Sequence, residues 1–187
     1  MKHIRTSILA AFASMTMMAG AQALAAIVSV NTPAPTVSIG ESFVVSVDIS
    51  GVVDLYGFQF DLGFDPTLLS FTGGPSEGAL LPSGGATFFL PGVDNGGGAV
   101  ESTADSLIGA ISGVSGDGTL ATFDFTAIGT GVNAFTLANV FLLDSNLNFI
   151  GFDTTGGSIT SVPEPATLVL LSLGLAGLAR MKRGKAA

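Results

Sequence analysis

Carboxylates are the main acid–base side chains in the central part of this chain. Residues 27–161 hold 13 acids, since Glu164 is the one Asp or Glu among the chain's 14 that lies outside them. The same residues contain no Cys, Lys or Arg, and the one His, His3, lies near the N-terminus. A Ser-His-Asp or Cys-His nucleophile, a soft-metal site and a lysine Schiff base are therefore excluded from this region.

Glycoside hydrolysis by two carboxyl groups is the one enzyme class that this composition allows. Its candidate residues are Glu77 and Glu101, both in Gly-rich sequence. Two isolated glutamates in loops are more typical of solvated charges. We therefore expect a protein that is not an enzyme.

Oxygen side chains alternate at Asp144, Asn146 and Asn148, as at the start of a calcium-binding loop. A calcium loop of this type also has Gly at its sixth position and an acid at its twelfth, where this sequence has Phe149 and Thr155. The pattern favours a hairpin turn between two apolar runs. We predict no cofactor, and weak attraction of calcium to the acidic surface is the only metal binding expected.

The charge of the central region defines which partners it can bind. Thirteen acids without a Lys or Arg repel nucleic acids and other polyanions, so binding of DNA or RNA is excluded. Self-repulsion predicts that added salt stabilises the fold. Because the chain has no Cys, no disulfide can stabilise this region, and burial of apolar side chains must do so.

The N-terminus has the pattern of a secretory signal peptide over residues 1–25. Lys2 and Arg5 form a positive region, and an apolar stretch follows from Ile8 to Met18. Small residues at Ala23 and Ala25 fit the specificity of signal peptidase, and we predict cleavage after Ala25. The chain is therefore expected to be exported.

The C-terminal residues 162–185 combine three blocks in a fixed order. Val162, Pro163, Glu164 and Pro165 come first, and the two prolines prevent a helix from starting before residue 166. Residues 166–179 are almost entirely apolar and predict a short transmembrane helix. The basic residues after it hold the C-terminus in the cytoplasm by the positive-inside rule; they are Arg180, Lys182, Arg183 and Lys185.

These three blocks resemble the PEP-CTERM sorting signal of exopolysaccharide-producing Gram-negative bacteria. The resemblance implies recognition by an exosortase and processing near Pro163-Glu164-Pro165. A plain membrane anchor is the alternative. The protein is expected to be held in the inner membrane first and to reside finally in the cell envelope or outside the cell.

Period-two alternation of apolar residues predicts an all-β domain over residues 26–161. It is clearest in three stretches, Phe43 to Ile49, Tyr56 to Phe64 and Ala121 to Ala127. Shorter candidate strands are Ile27–Asn31, Leu68–Phe71, Ala86–Leu90, Gly98–Thr103, Asn133–Ala138, Val140–Leu143 and Gly156–Ser161. A short helix is expected only within Ser102–Gly113. About nine short strands with one apolar face each predict a two-sheet β-sandwich.

The order of these segments resembles a cohesin, a jelly-roll β-sandwich related to family 3 carbohydrate-binding modules. The resemblance rests on Val37–Glu41, on Leu55–Leu69 with its Phe64-Asp65-Pro66 turn, and on Gly116–Phe125. It implies that one sheet face binds a protein partner, which is a dockerin in cellulosomes. The outward residues of that face are predicted to be Gly57, Gln59 and Asp61.

Polysaccharide binding is the alternative function. Sugar-binding faces use exposed aromatic rings, and this chain has no Trp and one Tyr, Tyr56, on the predicted core face. Phe88 and Phe89 are consecutive, so one of the two must point outward from a strand. We therefore expect adhesion or assembly through an extracellular protein partner in an exopolysaccharide or biofilm context, with exopolysaccharide itself as the other candidate ligand.

Overall fold

Alternating apolar residues form strands over most of the chain in the computed structural model, which describes residues 25–164 and Gly174. Eleven strands lie in this described part. They are β1 (Ala26–Asn31), β2 (Thr36–Ser38), β3 (Ser42–Gly63), β4 (Leu69–Glu77), β5 (Val93–Asp94), β6 (Ala99–Ser106), β7 (Val114–Ala127), β8 (Gly131–Ala134), β9 (Thr136–Asp144), β10 (Phe152–Thr155) and β11 (Ser158–Val162). The predicted all-β sandwich is confirmed, with more strands than the nine or so expected.

Strand β3 is long and bent, and its two halves belong to two layers. The first half, Ser42 to Ile49, pairs with β7 and β1. The second half, Leu55 to Gly63, pairs with β6 and β9. Between the halves the register shifts twice and Gly51 and Asp54 adopt positive φ angles of 67° and 60°. One layer therefore has the order β4-β7-β3-β1-β10, and the other has β5-β6-β3-β9.

The core lies between these layers and is rich in phenylalanine. Phe125 on β7 is fully buried, and four other rings surround it with centroids 5.0–6.2 Å away: Phe43, Phe64, Phe71 and Phe135. Phe60 from the second half of β3 packs across the sandwich on Phe123. The apolar faces predicted from the alternation in both halves of β3 are thus the buried ones.

A third, small sheet closes one part of the sandwich with the order β2-β11-β8. Its strand β11 pairs in parallel with β2 and antiparallel with β8. Ile159 of β11 is buried in the common core. The last strand before the Pro-Glu-Pro motif is therefore part of the folded body.

Two local predictions differ from the structure. The short helix expected within Ser102–Gly113 is wrong, because β6 continues to Ser106 and pairs with β3. Ser102 has a positive φ of 60°, and this bulge shifts the alternation so that Thr103, Asp105 and Leu107 point inward. The strand expected at Ala86–Leu90 makes only two single bridges, Thr87 to Leu107 and Leu90 to Ala104.

Several predictions fall outside the described residues. These are the signal peptide before Ala25, including Ala23, and the tail beyond Glu164, which holds Pro165, the predicted helix 166–179 except Gly174, and the basic residues Arg180, Lys182, Arg183 and Lys185. Within the described part of the chain, no helix has the length and apolar character needed to span a membrane.

Candidate interaction surface

The outer face of the β5-β6-β3-β9 layer carries a shallow pocket in its centre. Its floor is the second half of β3, where Gly57 is paired with Ser106 on one side and Leu143 on the other. Gln59 follows two residues later, between Ala104 and Phe141. Because Gly57 has no side chain, the floor of the pocket is low at this position. A Cβ atom there would lie only 3.2 Å from the Asp105 carbonyl oxygen.

One wall of the pocket is the segment Ala86–Leu90, which runs along the edge of β6. The Phe88 N–H donates to the Ser106 carbonyl and the Leu90 N–H donates to the Ala104 carbonyl, both at 2.8 Å. Phe88 and Leu90 project outward, and Phe88 is 58% exposed. Phe89 packs against the core. Of the two predicted glycan-contact residues, only Phe88 is thus available on the surface.

The opposite wall comes from β9 and the hairpin that follows it. Phe141 and Leu143 point outward from β9 beside the floor. Phe149, which is 76% exposed, stands against Phe141 with ring centroids 6.1 Å apart. The Leu143–Phe149 bridge fixes this arrangement.

These walls and the floor enclose a cavity of about 340 Å³. Its lining is mostly apolar and consists of Gly57, Phe58, Gln59, Phe88, Leu90, Ala104, Asp105, Ser106, Phe141, Leu143 and Phe149. A volume of this size accepts one or two large side chains or a small ligand. Exposed apolar surface with few polar groups is typical of an interaction site.

Asp61, predicted as part of the partner face, lies beside the pocket and has a structural role. One carboxylate oxygen accepts from the Ser102 N–H at 2.7 Å, and the other accepts from the Asn139 side-chain amide. Ser102 and Asn139 are bulge residues with positive φ angles of 60° and 48°. Asp61 therefore supports the two strands next to β3, and both of its oxygens already have donors.

The weak calcium candidates form a capped hairpin turn. Asp144 Oδ1 accepts from the backbone N–H groups of Asn146 and Asn148, both at 2.8 Å, and Oδ2 accepts from the Asn148 side chain at 3.1 Å. The Asn148 amides contribute most to lowering the pKa of the Asp144 carboxyl. In the described residues no three His, Cys, Asp or Glu side chains form a group that could hold a metal ion. A calcium ion here would have to replace these turn hydrogen bonds.

Glu77 and Glu101, the candidate carboxylate pair, have different partners. Glu101 on β6 accepts from the Asn95 side chain at 2.6 Å. Glu77 ends β4 and accepts a hydrogen bond from Thr87 Oγ1, and Thr87 is bridged to Leu107, two residues after the buried Asp105 on β6. The carboxyl neighbour of Glu77 is therefore Asp105, which the sequence did not single out.

The predicted sorting motif follows the folded body directly. The Val162 carbonyl, at the end of β11, accepts from the Ile39 N–H at 2.9 Å. Pro163 and Glu164 come next and are exposed. At the other end, Ala25 is exposed and Ala26 is already a buried residue of β1.

Leu90, Phe141 and Leu143 are among the pocket residues that the sequence analysis did not identify. A signal was present, because three consecutive apolar residues in a strand, Phe141-Leu142-Leu143, must place apolar side chains on both faces. Leu142 is buried, which sends its two neighbours outward. The position of Leu90 depended on the pairing of Ala86–Leu90 with β6, which is a tertiary contact.

Comparison with protein families gives two matches that together cover most of the chain. The model of the Cohesin domain matches residues 28–160, and the model of the PEP-CTERM protein-sorting motif matches residues 161–183. Comparison with curated proteins found no match.

Several solved structures share this architecture, and three cohesin structures from two organisms illustrate the likeness. A non-cellulosomal cohesin from the hyperthermophilic archaeon Archaeoglobus fulgidus aligns with a TM-score of 0.59 at 17% identity, covering 76% of this chain and 95% of that one. The second type II cohesin module of the adaptor ScaA scaffoldin of Acetivibrio cellulolyticus gives 0.62 at 19%, with coverages of 75% and 93%. A mutant type II cohesin–X-dockerin complex from the same organism gives 0.61 at 19%, with coverages of 73% and 99%. At these identities the likeness shows the fold.

Proposed function

The chain belongs to the cohesin domain family and carries a PEP-CTERM sorting motif, and from this premise we propose that it is an exported adhesion or assembly protein that binds a protein partner through the outer face of its β5-β6-β3-β9 layer. The observation that carries the proposal is the apolar pocket of about 340 Å³ in the middle of that face. Phe88 and Phe149 stand on its two sides.

The partner is defined by the chemistry of the face and of the body around it. An apolar pocket takes an aromatic or aliphatic anchor residue, which is the usual centre of a protein interface. Residues 6–179 contain no Lys, Arg or His, so every ionised side chain in the body around the pocket is an acid. Electrostatic complementarity then favours a partner with basic residues around its anchor.

A dockerin is bound in one of the related solved structures, which is a type II cohesin–X-dockerin complex. In this chain the floor of the face consists of Gly57 and Gln59 of β3, which offer one polar side chain between apolar walls. The partner proposed here therefore uses the apolar pocket and not a polar pair on β3.

Photo-crosslinking in the exporting cells tests the binding face. A benzophenone side chain at Phe149 should crosslink a protein in the cell envelope or extracellular matrix. The same group at Val44, which is 48% exposed on the outer face of the other layer, should not. Equal crosslinking from both positions, or none from Phe149, would contradict the proposal.

Polysaccharide binding is the second candidate because the pocket walls expose three aromatic rings, Phe88, Phe141 and Phe149. Rings of this kind can stack on sugars. Retention of the purified protein by the host's own exopolysaccharide, lost on Phe88→Ala, would favour this function. Phe89→Ala is the matched control. Because Phe89 packs against the core, its loss should lower stability without removing a ring from the binding surface.

The ends of the folded body support export and processing. Signal peptidase cleavage after Ala25 would leave Ala26, the first residue of β1, at the new N-terminus. Exosortase processing near Pro163-Glu164-Pro165 would cut immediately after β11. The product would be a strongly acidic module without Lys or Arg, located in the envelope or the matrix. Mass spectrometry that finds the intact C-terminus at Ala187 in exosortase-positive cells would contradict processing.

A further inference from the structure

Asp105 is a buried acid whose carboxylate has no hydrogen-bond donor. It lies on β6 with its side chain toward the core, opposite Phe58, and is 3% exposed. Neither carboxylate oxygen accepts a hydrogen bond. A buried charge without a partner is strongly unfavourable, so Asp105 must be neutralised in some way.

Glu77 is the group that faces Asp105. It lies exposed at the end of β4 and accepts from Thr87, which is bridged to Leu107, the next inward residue after Asp105 on β6. The other elements around Asp105 place no cation there, since residues 6–179 contain no Lys, Arg or His. Phe58 comes from β3, and Thr87 comes from the Ala86–Leu90 segment, where it donates to Glu77. Glu101, the other acid on β6, is bonded to Asn95.

The simplest way to neutralise Asp105 is for its own carboxyl group to keep a proton. The proton makes this carboxyl a donor, and it removes the negative charge from the buried site. Burial, and then the neighbouring Glu77 carboxyl, raise the pKa of Asp105 from 3.8 to about 7. A divalent cation is a poorer solution, because calcium takes six to eight oxygen ligands and this site offers two carboxylates and one hydroxyl.

We propose that Asp105 keeps its proton and donates it in a hydrogen bond to Glu77, and that this contact is a pH-sensitive clamp on the Ala86–Leu90 wall of the binding pocket. The proton joins β6 to the end of β4, and Glu77 in turn holds Thr87 in the wall segment. Loss of the proton leaves two neighbouring negative charges, one of them buried. Water must then enter to solvate Asp105, which separates Glu77 and Thr87 from β6 and loosens Phe88 and Leu90. The effect on binding rests on the function proposed above, whereas the clamp itself does not.

Hydrogen exchange of the full exported protein tests the clamp without any partner. The reporters are the amides of Phe88 and Leu90, which donate to β6, measured from pH 5.5 to 8.5 and corrected for intrinsic exchange. We expect their protection to fall at least tenfold with a midpoint near pH 7 in the wild type. In Asp105→Asn the protection should stay constant over this range. Asp153→Asn, which removes an exposed carboxylate on β10, should behave as the wild type.

Glu77→Gln provides a second variant if Asp105→Asn does not fold. Its amide can donate to the Asp105 carboxylate, so the midpoint should move to lower pH. Constant protection in the wild type from pH 5.5 to 8.5 would overturn the clamp. Protection restored at pH 8.5 by millimolar calcium, in the wild type but not in Asp105→Asn, would also overturn it in favour of a cation site.

The same variants separate the clamp from the binding function. Crosslinking from Phe149 should decrease above pH 7 in the wild type and remain constant in Asp105→Asn. A pH-dependent change in hydrogen exchange without any crosslink would refute the binding face and leave the clamp intact. A specific crosslink with pH-independent exchange would refute the clamp and leave the binding face intact.

Discussion

The carboxylate of Asp61 on β3 accepts a hydrogen bond from the side chain of Asn139 on β9. The other oxygen of Asp61 accepts from the Ser102 N–H on β6, so one side chain connects three adjacent strands. Asn139 and Ser102 both have positive φ angles, which are costly for residues other than glycine. Asp61 therefore stabilises the two bulges beside the pocket floor.

Replacement of Asp61 by Ala should lower the free energy of unfolding by about 1–3 kcal/mol, because two donors lose their acceptor. Denaturant unfolding measures this change. Gln59→Ala, two residues along the same face, should change stability by no more than about 0.5 kcal/mol. Equal losses in both variants would show that Asp61 has no special role.

The stability of the protein should be greatest in mildly acidic solution. Hydrogen bonds lower the pKa of Asp54, Asp65 and Asp144 below 3.8. The largest of these effects comes from the Ser145 side chain for Asp54 and from the Thr67 side chain for Asp65. For Asp144 it comes from the Asn148 backbone. Their stabilisation is present above pH 3.8 and is lost as pH falls through the folded pKa values. Asp105 acts in the opposite direction, since burial raises its pKa to about 7.

The native state therefore keeps the Asp105 proton between pH 3.8 and about 7, where the unfolded chain loses it. Stability should fall over this range as pH rises, with a slope of at most about 1.4 kcal/mol per pH unit. Thermal unfolding from pH 2.5 to 8.5 measures both the loss of stability at acidic pH and the fall toward alkaline pH. Asp105→Asn should remove the fall toward alkaline pH and keep the acidic one. A wild-type melting temperature that rises from pH 5 to 8 would contradict this assignment.

The phenylalanine cluster around Phe125 should dominate the stability of the sandwich. Phe125→Ala removes a ring in contact with four others and should cost about 3–5 kcal/mol. Phe149→Ala, which removes an exposed ring, should cost no more than about 0.5 kcal/mol. Chemical denaturation of the two variants compares them directly.

Added salt should raise the melting temperature, because it screens the mutual repulsion of the acids in residues 27–161. Sodium chloride and calcium chloride at equal ionic strength should differ little. Asp144→Asn should respond to calcium as the wild type does, since Asp144 already accepts three amide hydrogen bonds. A calcium effect lost in Asp144→Asn would identify a specific site at this turn.

The sequence was sufficient where the period of two is unbroken. Phe43 to Ile49 and Phe58 to Leu62 alternate cleanly, so the two faces of β3 could be predicted together with the sandwich. Ser102 has a positive φ and forms a bulge, which changes which residues of β6 point inward. The alternation of the sequence therefore could not predict that Asp105 points toward the core. The pocket joins Phe88, Gln59 and Phe149, which are far apart in the chain, and only strand order brings them together.

Filling the pocket should abolish binding without unfolding the protein. Ala104 lies on the pocket floor opposite Gln59, and Ala104→Phe places a ring in the space that a partner's anchor residue would occupy. We expect crosslinking from Phe149 to decrease at least tenfold, which corresponds to an affinity loss of about 1.4 kcal/mol or more when the partner is present below its Kd. Val44→Phe adds the same ring to the opposite outer face and should leave crosslinking unchanged. Both variants should keep the wild-type melting temperature to within a few degrees, because both side chains point to solvent. If Ala104→Phe is folded and still crosslinks as the wild type does, the partner contacts Phe149 from outside the pocket and the pocket is not its anchor site.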